Sequence, residues 1–507
     1  MSFKKYKYEA GVVLFGALFY VFMLLICTGT LTSGYHLADD HEILLISDRF
    51  HKGIYTWKTF FHDGLFSYFE EGIRFRPLYS TLRLLRSYLL GTNYTAWSIL
   101  VGMEIVGCVI LAYYIARNLG ANILSSALAA VFIVTGEQGE IWWRLGPQEP
   151  TGLLMCLSCM LLIQKFQEEP KIWKEILIII FAFLMAASKE SFTILLPAMI
   201  LFAVGYDIWL HHSCCFDRDL KNAVRKNRWI IGILAVLLCI NLYVIVFRIG
   251  ILSIEYAGID TTMGISGYIE KIKKILFGNN MKPYLLLQII TFLGLIIILL
   301  KKKKDGILES VKKSGILIVS LVAIGAVELV LYTKSGMWGR YFVPFTLGVS
   351  FLNIAFLSAG FKNKWFKSFF YSVVLCMIIY LYYGVWNSGT AFAEQGRNLT
   401  EGFSKIEMSI EPDQLIVSCM DMGGEWDYSF THYAKIQMGM KNVYSWNEGS
   451  GFFSLYQENE KSISNMLEAD CLIISENKNI GDFVENIDSY VLLFDMGYGK
   501  IYEKAEI

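Results

Sequence analysis

Long apolar runs without an ionised residue decide what this chain can fold into. The stretches 10–27, 176–187, 229–247, 284–300 and 369–383 carry no Asp, Glu, Lys or Arg. A helix crossing the hydrocarbon core needs roughly 17–25 such residues, allowing for tilt and flanking aromatics. The 507-residue sequence is 55% hydrophobic, with a mean hydropathy of +0.46. It is therefore read as an all-α polytopic membrane bundle. About eleven spans are expected, near 10–31, 95–117, 122–136, 150–165, 175–188, 191–210, 229–247, 283–300, 315–333, 341–360 and 369–388. A formal net charge of zero says little about partners in such a chain, because charge is partitioned by side of the membrane.

That partition sets an orientation. Lys4, Lys5 and Lys7 precede the first span and assign the N-terminus to the cytoplasm by the positive-inside rule. The other basic loops fall on the same side: Lys165, Lys171 and Lys174; Arg218 to Arg228; Lys301 to Lys304 with Lys312 and Lys313; Lys362, Lys364 and Lys367. Eleven spans then put the C-terminus outside, as expected for a multi-pass protein of an inner or plasma membrane. The first span lacks a small-residue cleavage pattern and is not read as a signal peptide. Most cysteines lie in apolar segments as small hydrophobes. Cys156 and Cys159 form a C-x-x-C spacing inside a span, Cys214 and Cys215 are candidates for palmitoylation in a eukaryotic host, and a Cys419–Cys471 disulfide is left open.

Two domains are expected: a membrane domain over 1–388, including a first exoplasmic loop at 32–94, and an exoplasmic α/β domain over 389–507. Within the first loop, Pro77 to Arg86 has helical spacing and reads as an interfacial helix, with Arg83 and Arg86 reaching lipid headgroups. A second amphipathic stretch, Tyr268 to Leu276, lies in the 248–282 region. In the tail, 414–419, 471–475 and 490–494 have strand length, whereas 457–467 reads as helix. Asp421-Met422-Gly423-Gly424 follows the first of these strands and reads as a turn, with a binding loop as the alternative.

Charged residues recur where spans meet the outer face. Asp39, Asp40 and Glu42 follow span one, and Arg74-Phe75-Arg76-Pro77 comes next. Glu140-Ile141-Trp142-Trp143-Arg144 and Glu149 lie before span four, Lys189 and Glu190 between spans five and six, and Arg340 and Tyr341 before span ten. Ionised groups at a lipid boundary are expensive. Together they offer a carboxylate base, cations for a phosphate and aromatic surfaces for a sugar. Simpler readings exist for the parts. Asp39–Asp40 could cap a helix, Trp142 and Trp143 could anchor the interface, and Lys189–Glu190 could be a structural ion pair. His36 and His41 flank the acids, yet no second ligand group stands at fixed spacing, so no cofactor is required and a divalent metal is the disfavoured option.

In order and sidedness, Asp39-Asp40, Arg76-Pro77-Leu78, Glu140-Ile141-Trp142-Trp143-Arg144, Ser188-Lys189-Glu190 and Gly339-Arg340-Tyr341 resemble the GT-C superfamily of integral-membrane glycosyltransferases. The likeness is to the branch around protein O-mannosyltransferases and their bacterial relatives, over about 10–360. The family more often shows Asp-Glu where this chain has Asp-Asp, and the tail matches nothing in it. The resemblance implies inverting transfer of a sugar from a polyprenyl-phosphate-sugar donor to a cell-envelope glycopolymer, lipid or protein at the outer face. Asp39 would be the base, and Asp40 or Glu42 would orient it or the acceptor. Arg76, Lys189, Arg340 and Arg144 would meet the donor phosphate. His41, Glu140, Trp143, Glu149, Glu190 and Tyr341 would line the sugar or acceptor pocket. The expected partners are donor, acceptor and bilayer, with no nucleic acid. A Wzy-like oligosaccharide polymerase and a transporter or flippase of envelope lipids are the competing readings. A transporter should show inverted repeats with charges near mid-membrane, and here the charges gather at one face.

Overall fold

The computed structural model describes residues 7–56, 58, 59, 62, 75–213, 215–249, 264–300, 304–331, 339–420, 425–447, 451–455, 459–497 and 499–505. Lys4, Lys5, Arg74, Cys214, Lys301 to Lys303, Asp421-Met422-Gly423-Gly424 and Gln457 lie outside these residues.

The first helices are α1 (Lys7–Thr28), α2 (His41–His51), α3 (Pro77–Leu90), α4 (Tyr94–Asn118) and α5 (Ile123–Ile133). They are followed by α6 (Glu149–Glu168), α7 (Ile172–Ser188), α8 (Glu190–Thr193), α9 (Leu196–His211), α10 (Phe216–Lys226) and α11 (Arg228–Tyr243). Then come α12 (Ile265–Leu276), α13 (Lys282–Leu300), α14 (Lys304–Leu331), α15 (Val343–Val349) and α16 (Lys364–Ser409). Local chemistry sets several starts. Asn93, Asn122 and Asn363 side chains accept backbone N–H groups that α4, α5 and α16 would otherwise leave unpaired. Pro77, Pro150, Pro197 and Pro344 stand in first turns, where a missing N–H costs nothing.

Every expected span coincides with helix, but among the described residues eight helices are long and apolar enough to cross a membrane. The three others fall short for separate reasons. Helix α5 has 11 residues, α7 has 17, and α6 carries Glu149, Gln164, Lys165, Gln167 and Glu168 along its 20 residues. These helices pack among α4, α8 and α9 inside the bundle. Close helix approach elsewhere depends on missing side chains. A Cβ on Gly205 would lie 2.6 Å from the Leu317 backbone, and one on Gly348 would lie 2.6 Å from that of Gly325.

The interfacial assignments of Trp142 and Trp143 are corrected. Both are buried in the main core, and Trp142 donates through Nε1 to Val134 O at 2.6 Å. An indole buried with its one donor satisfied fills the interior instead of marking the interface. Cys156 and Cys159 are likewise buried and free. Helix α12 occupies the second amphipathic stretch and buries none of its residues.

Helix α16 is 46 residues long, roughly 69 Å at 1.5 Å per residue, about twice a bilayer core. It leads from the bundle to a six-stranded sheet. The strands are β1 (Leu415–Cys419), β2 (Asn442–Asn447), β3 (Gly451–Phe453), β4 (Cys471–Ser475), β5 (Tyr490–Asp495) and β6 (Gly499–Lys504), in the order β3-β2-β1-β4-β6-β5. Strand β1 runs parallel to β2 and β4, with α17 (Glu425–Ile436) between β1 and β2 in the chain. The expected helix over 457–467 is corrected: the described part holds a single turn, Met466–Glu468, stabilised by an Asn465–Glu468 capping box. Cys419 and Cys471 sit on neighbouring strands but pair in register with Ile474 and Ile416, and both are free thiols.

Candidate functional site

The site is built on a strained turn. Asp39 has φ 67°, and among the described residues no other non-glycine has positive φ. For an L-residue the left-handed region costs about 1–2 kcal/mol, so the surroundings must hold it. Arg83 donates from Nη2 to Asp39 O at 2.7 Å and from Nη1 to Leu145 O at 2.8 Å. The Asp39 N–H donates to Glu425 Oε1 at 3.0 Å. Gly146 closes the opposite side, where a Cβ would stand 2.1 Å from that of Asp39. Arg83 is therefore buried against the loop and not in contact with lipid headgroups, and Arg86 pairs with Glu104 at 2.5 Å. The amphipathic pattern of α3 was legible; what its arginines face is protein, the loop carbonyls of Asp39 and Leu145 for Arg83 and Glu104 of α4 for Arg86.

A ladder of alternating charge runs from this turn. Asp39 Oδ2 lies 3.5 Å from Arg340 Nη1, and Arg340 Nε lies 3.7 Å from Glu149 Oε1. Lys189 Nζ donates to that same Glu149 oxygen at 2.6 Å. The Arg340 backbone N–H donates to Glu140 Oε1 at 2.8 Å, while Glu140 Oε2 faces Arg144 Nε at 3.2 Å. Tyr341 lies beneath both cations, its ring centroid 4.5 Å from Lys189 Nζ and 5.7 Å from Arg340 Cζ. Four separate hairpins thus meet.

The four cations expected to meet an anion are not equivalent. Lys189 is 3% exposed and held by Glu149. Arg76 is bound to Glu190 at 2.7 Å, so the Lys189–Glu190 pairing read from the sequence is replaced by Lys189–Glu149 and Arg76–Glu190. Arg340 and Arg144 are 26% and 35% exposed, and Nη1 of the first and Nε of the second face Asp39 and Glu140 as ion pairs without hydrogen-bond geometry. A guanidinium N–H whose ion pair lacks hydrogen-bond geometry can turn to a better-aligned acceptor.

Asp40 lies behind the turn, buried, its Oδ2 accepting the His36 N–H at 3.0 Å. It stands at the N-cap of α2 without making a side-chain cap bond. Burial pushes its carboxyl up to about 8, against the opposing pull of Arg83, so it is largely neutral at pH 7. Asp39, by contrast, is 33% exposed. Glu42 accepts from Tyr79 OH at 2.9 Å and lies 3.4 Å from Arg83 Nε. His41 Nδ1 meets Ser429 Oγ at 2.8 Å. His36 stacks on Phe392 at 3.6 Å, and burial pushes it down to about 3. Among the described residues no three His, Cys, Asp or Glu side chains are grouped to hold a metal ion.

Beside the ladder opens a cavity of about 800 Å³. Glu137, Glu140, Trp143 and Arg144 line one end, Tyr284 another wall, and Tyr380 to Gln395 of α16 the length of it. From Tyr380 to Gln395 the helix rises roughly 22 Å, and Tyr380 and Tyr383 are exposed on the outer surface of a helix long enough to span a membrane. The void thus joins a charged end to an apolar flank. Glu137, Tyr284, Glu425 and the α16 aromatics are absent from the sequence-derived site. Glu137 stands three residues before the Glu140 motif; α16 was legible only as a span, and Glu425 carried no local signal.

No protein-family model matches the sequence, and no curated protein matches it. Among solved structures the chain is similar to ArnT from Cupriavidus metallidurans bound to undecaprenyl phosphate, with a TM-score of 0.52 at 8% sequence identity over 98% of each chain. The likeness is one of fold: a helical membrane bundle carrying a small C-terminal sheet domain.

Proposed function

We propose that the chain is a membrane glycosyltransferase that moves a sugar from a polyprenyl-phosphate-sugar to a cell-envelope acceptor at the outer face. The observation that carries this reading is the Asp39–Arg340 pair joined, through the Arg340 N–H on Glu140, to the Glu140 and Arg144 side chains that line a cavity flanked by a membrane-length helix. The fold likeness to a protein bound to undecaprenyl phosphate supports a polyprenyl-linked donor, and the motif order supports the O-mannosyltransferase-like branch.

In this reading the lipid chain of the donor lies along α16 and its phosphate meets the guanidinium groups of Arg340 and Arg144, whose contacts with Asp39 and Glu140 lack hydrogen-bond geometry. Asp39 takes the proton from the acceptor hydroxyl while the oxygen attacks the anomeric carbon from the opposite side, inverting it. The bond to phosphate breaks, and the electron pair leaves on the lipid phosphate, where guanidinium charge stabilises it. Asp40 is too buried to touch substrate and acts as a neutral support for the turn. Lys189 holds Glu149 and so positions Arg340.

The test is transfer from a labelled polyprenyl-phosphate-sugar to an envelope fraction by purified protein in liposomes. The Arg340→Ala variant should fall roughly 10²–10³-fold in kcat, as for loss of one transition-state donor. Transfer from a nucleotide sugar with none from the lipid-linked donor would overturn the reading.

A further inference from the structure

The sheet domain reaches the ladder through the Glu425 side chain. Glu425, the first residue of α17, accepts the Asp39 N–H at 3.0 Å across 386 positions of sequence. Its own placement is rigidly derived from the sheet. Two residues on, buried Asp427 accepts the Met420 N–H at 3.0 Å and the Ser418 hydroxyl, tying the first turn of α17 to the end of β1. The same helix grips the neighbourhood of Asp39 twice more. Tyr35 OH donates to Ser429 O at 2.9 Å, and Ser429 Oγ meets His41 Nδ1 at 2.8 Å.

The electrostatics agree with the geometry. Burial, then the Asp39 carboxylate, raise the Glu425 carboxyl above its ordinary range, while Arg340 and Arg144 pull it down. Glu425 therefore feels Asp39, Arg340 and Arg144 of the membrane-side cluster although it belongs to the sheet domain. The bond it makes falls on the one backbone N–H whose orientation is set by the left-handed φ of Asp39. Without an acceptor there, the turn keeps the Arg83 tie on its carbonyl but loses its hold on the amide side. A turn costing about 1–2 kcal/mol would then be free to relax to an ordinary φ, swinging the carboxylate away from Arg340.

We infer that Glu425 is a positioning residue: through it the C-terminal sheet domain locks the left-handed turn that aims the Asp39 carboxylate into the reaction site. The inference rests on Asp39 being the base, and the experiment separates the two. Full-length Glu425→Ala and Glu425→Gln proteins in liposomes are measured for transfer kinetics and for hydrogen exchange at the Asp39 amide. Glutamine keeps an acceptor oxygen, so Glu425→Gln should stay within about 3-fold of wild type in kcat and in exchange. Glu425→Ala should lower kcat at least 10-fold with the donor KM unchanged, and should speed Asp39 amide exchange at least 10-fold. Exchange unchanged in Glu425→Ala overturns the inference whatever the kinetics. Fast exchange with undiminished transfer overturns it too, since the lock would then not serve the base. If wild type transfers nothing from the lipid-linked donor, the functional reading fails, while the exchange arm still decides whether Glu425 holds the turn.

Discussion

Replacing Lys189 with Met leaves Glu149 as a buried carboxylate stripped of its nearest cation. The two side chains are 3% and 1% exposed, with Nζ and Oε1 2.6 Å apart. Breaking a buried pair from one side costs about 3–5 kcal/mol, because the remaining charge is left uncompensated. Arg340 Nε still stands 3.7 Å from the same oxygen, which argues for the lower end, about 3 kcal/mol. Methionine replaces most of the lysine stem, so little of that loss is packing. The Lys189→Met/Glu149→Gln double variant removes both charges and should recover all but about 1 kcal/mol, as replacement of a whole buried pair often does. The assay is equilibrium unfolding of the purified protein in mixed micelles, run as a double-mutant cycle. A single-variant cost below about 0.5 kcal/mol, or a double variant no more stable than the single, would refute the reasoning.

Two further outcomes follow from the turn. Asp40 titrates near 8 in the folded protein against an ordinary 3.8, so the folded state holds the extra proton. Stability should be fullest below about pH 4 and decline as pH rises toward 8, by at most about 1.4 kcal/mol per unit. Unfolding measured across that window should show the slope in wild type and lose it in Asp40→Asn; parallel curves would contradict the assignment. Gly146→Ala places a Cβ 2.1 Å from that of Asp39 and should lower transfer about 100-fold by displacing the carboxylate. Wild-type transfer rates in that variant would show that the turn does not need its present shape.

Much of the bundle was legible because its signal is local. Among the described residues each expected span falls on helix, and strands 414–419, 471–475 and 490–494 lie where β1, β4 and β5 begin. Interior position was not legible. Trp142 and Trp143 have the composition of interface anchors, and packing that includes Tyr20 of α1 on Trp142 and Phe392 of α16 near Trp143 makes them core. Arg83 looked lipid-facing because helical spacing gives a polar side but not what that side meets, here the carbonyls of Leu145 and Asp39. The convergence of Asp39, Arg144, Glu149, Lys189 and Arg340 followed from their shared position at span ends, whereas the exchange of ion-pair partners did not. Adjacent Lys189 and Glu190 point to different neighbours because the chain turns between α7 and α8. Glu425 was invisible to sequence patterning, since its contact spans 386 residues and two domains.

The most direct test of the central claim is single-turnover transfer from a labelled polyprenyl-phosphate-sugar by wild type and by Asp39→Asn in liposomes of equal protein content. The account predicts that Asp39→Asn binds donor as wild type does and transfers roughly 10²–10⁴-fold more slowly, the range expected for loss of a general base. Equal rates in the two proteins would contradict it.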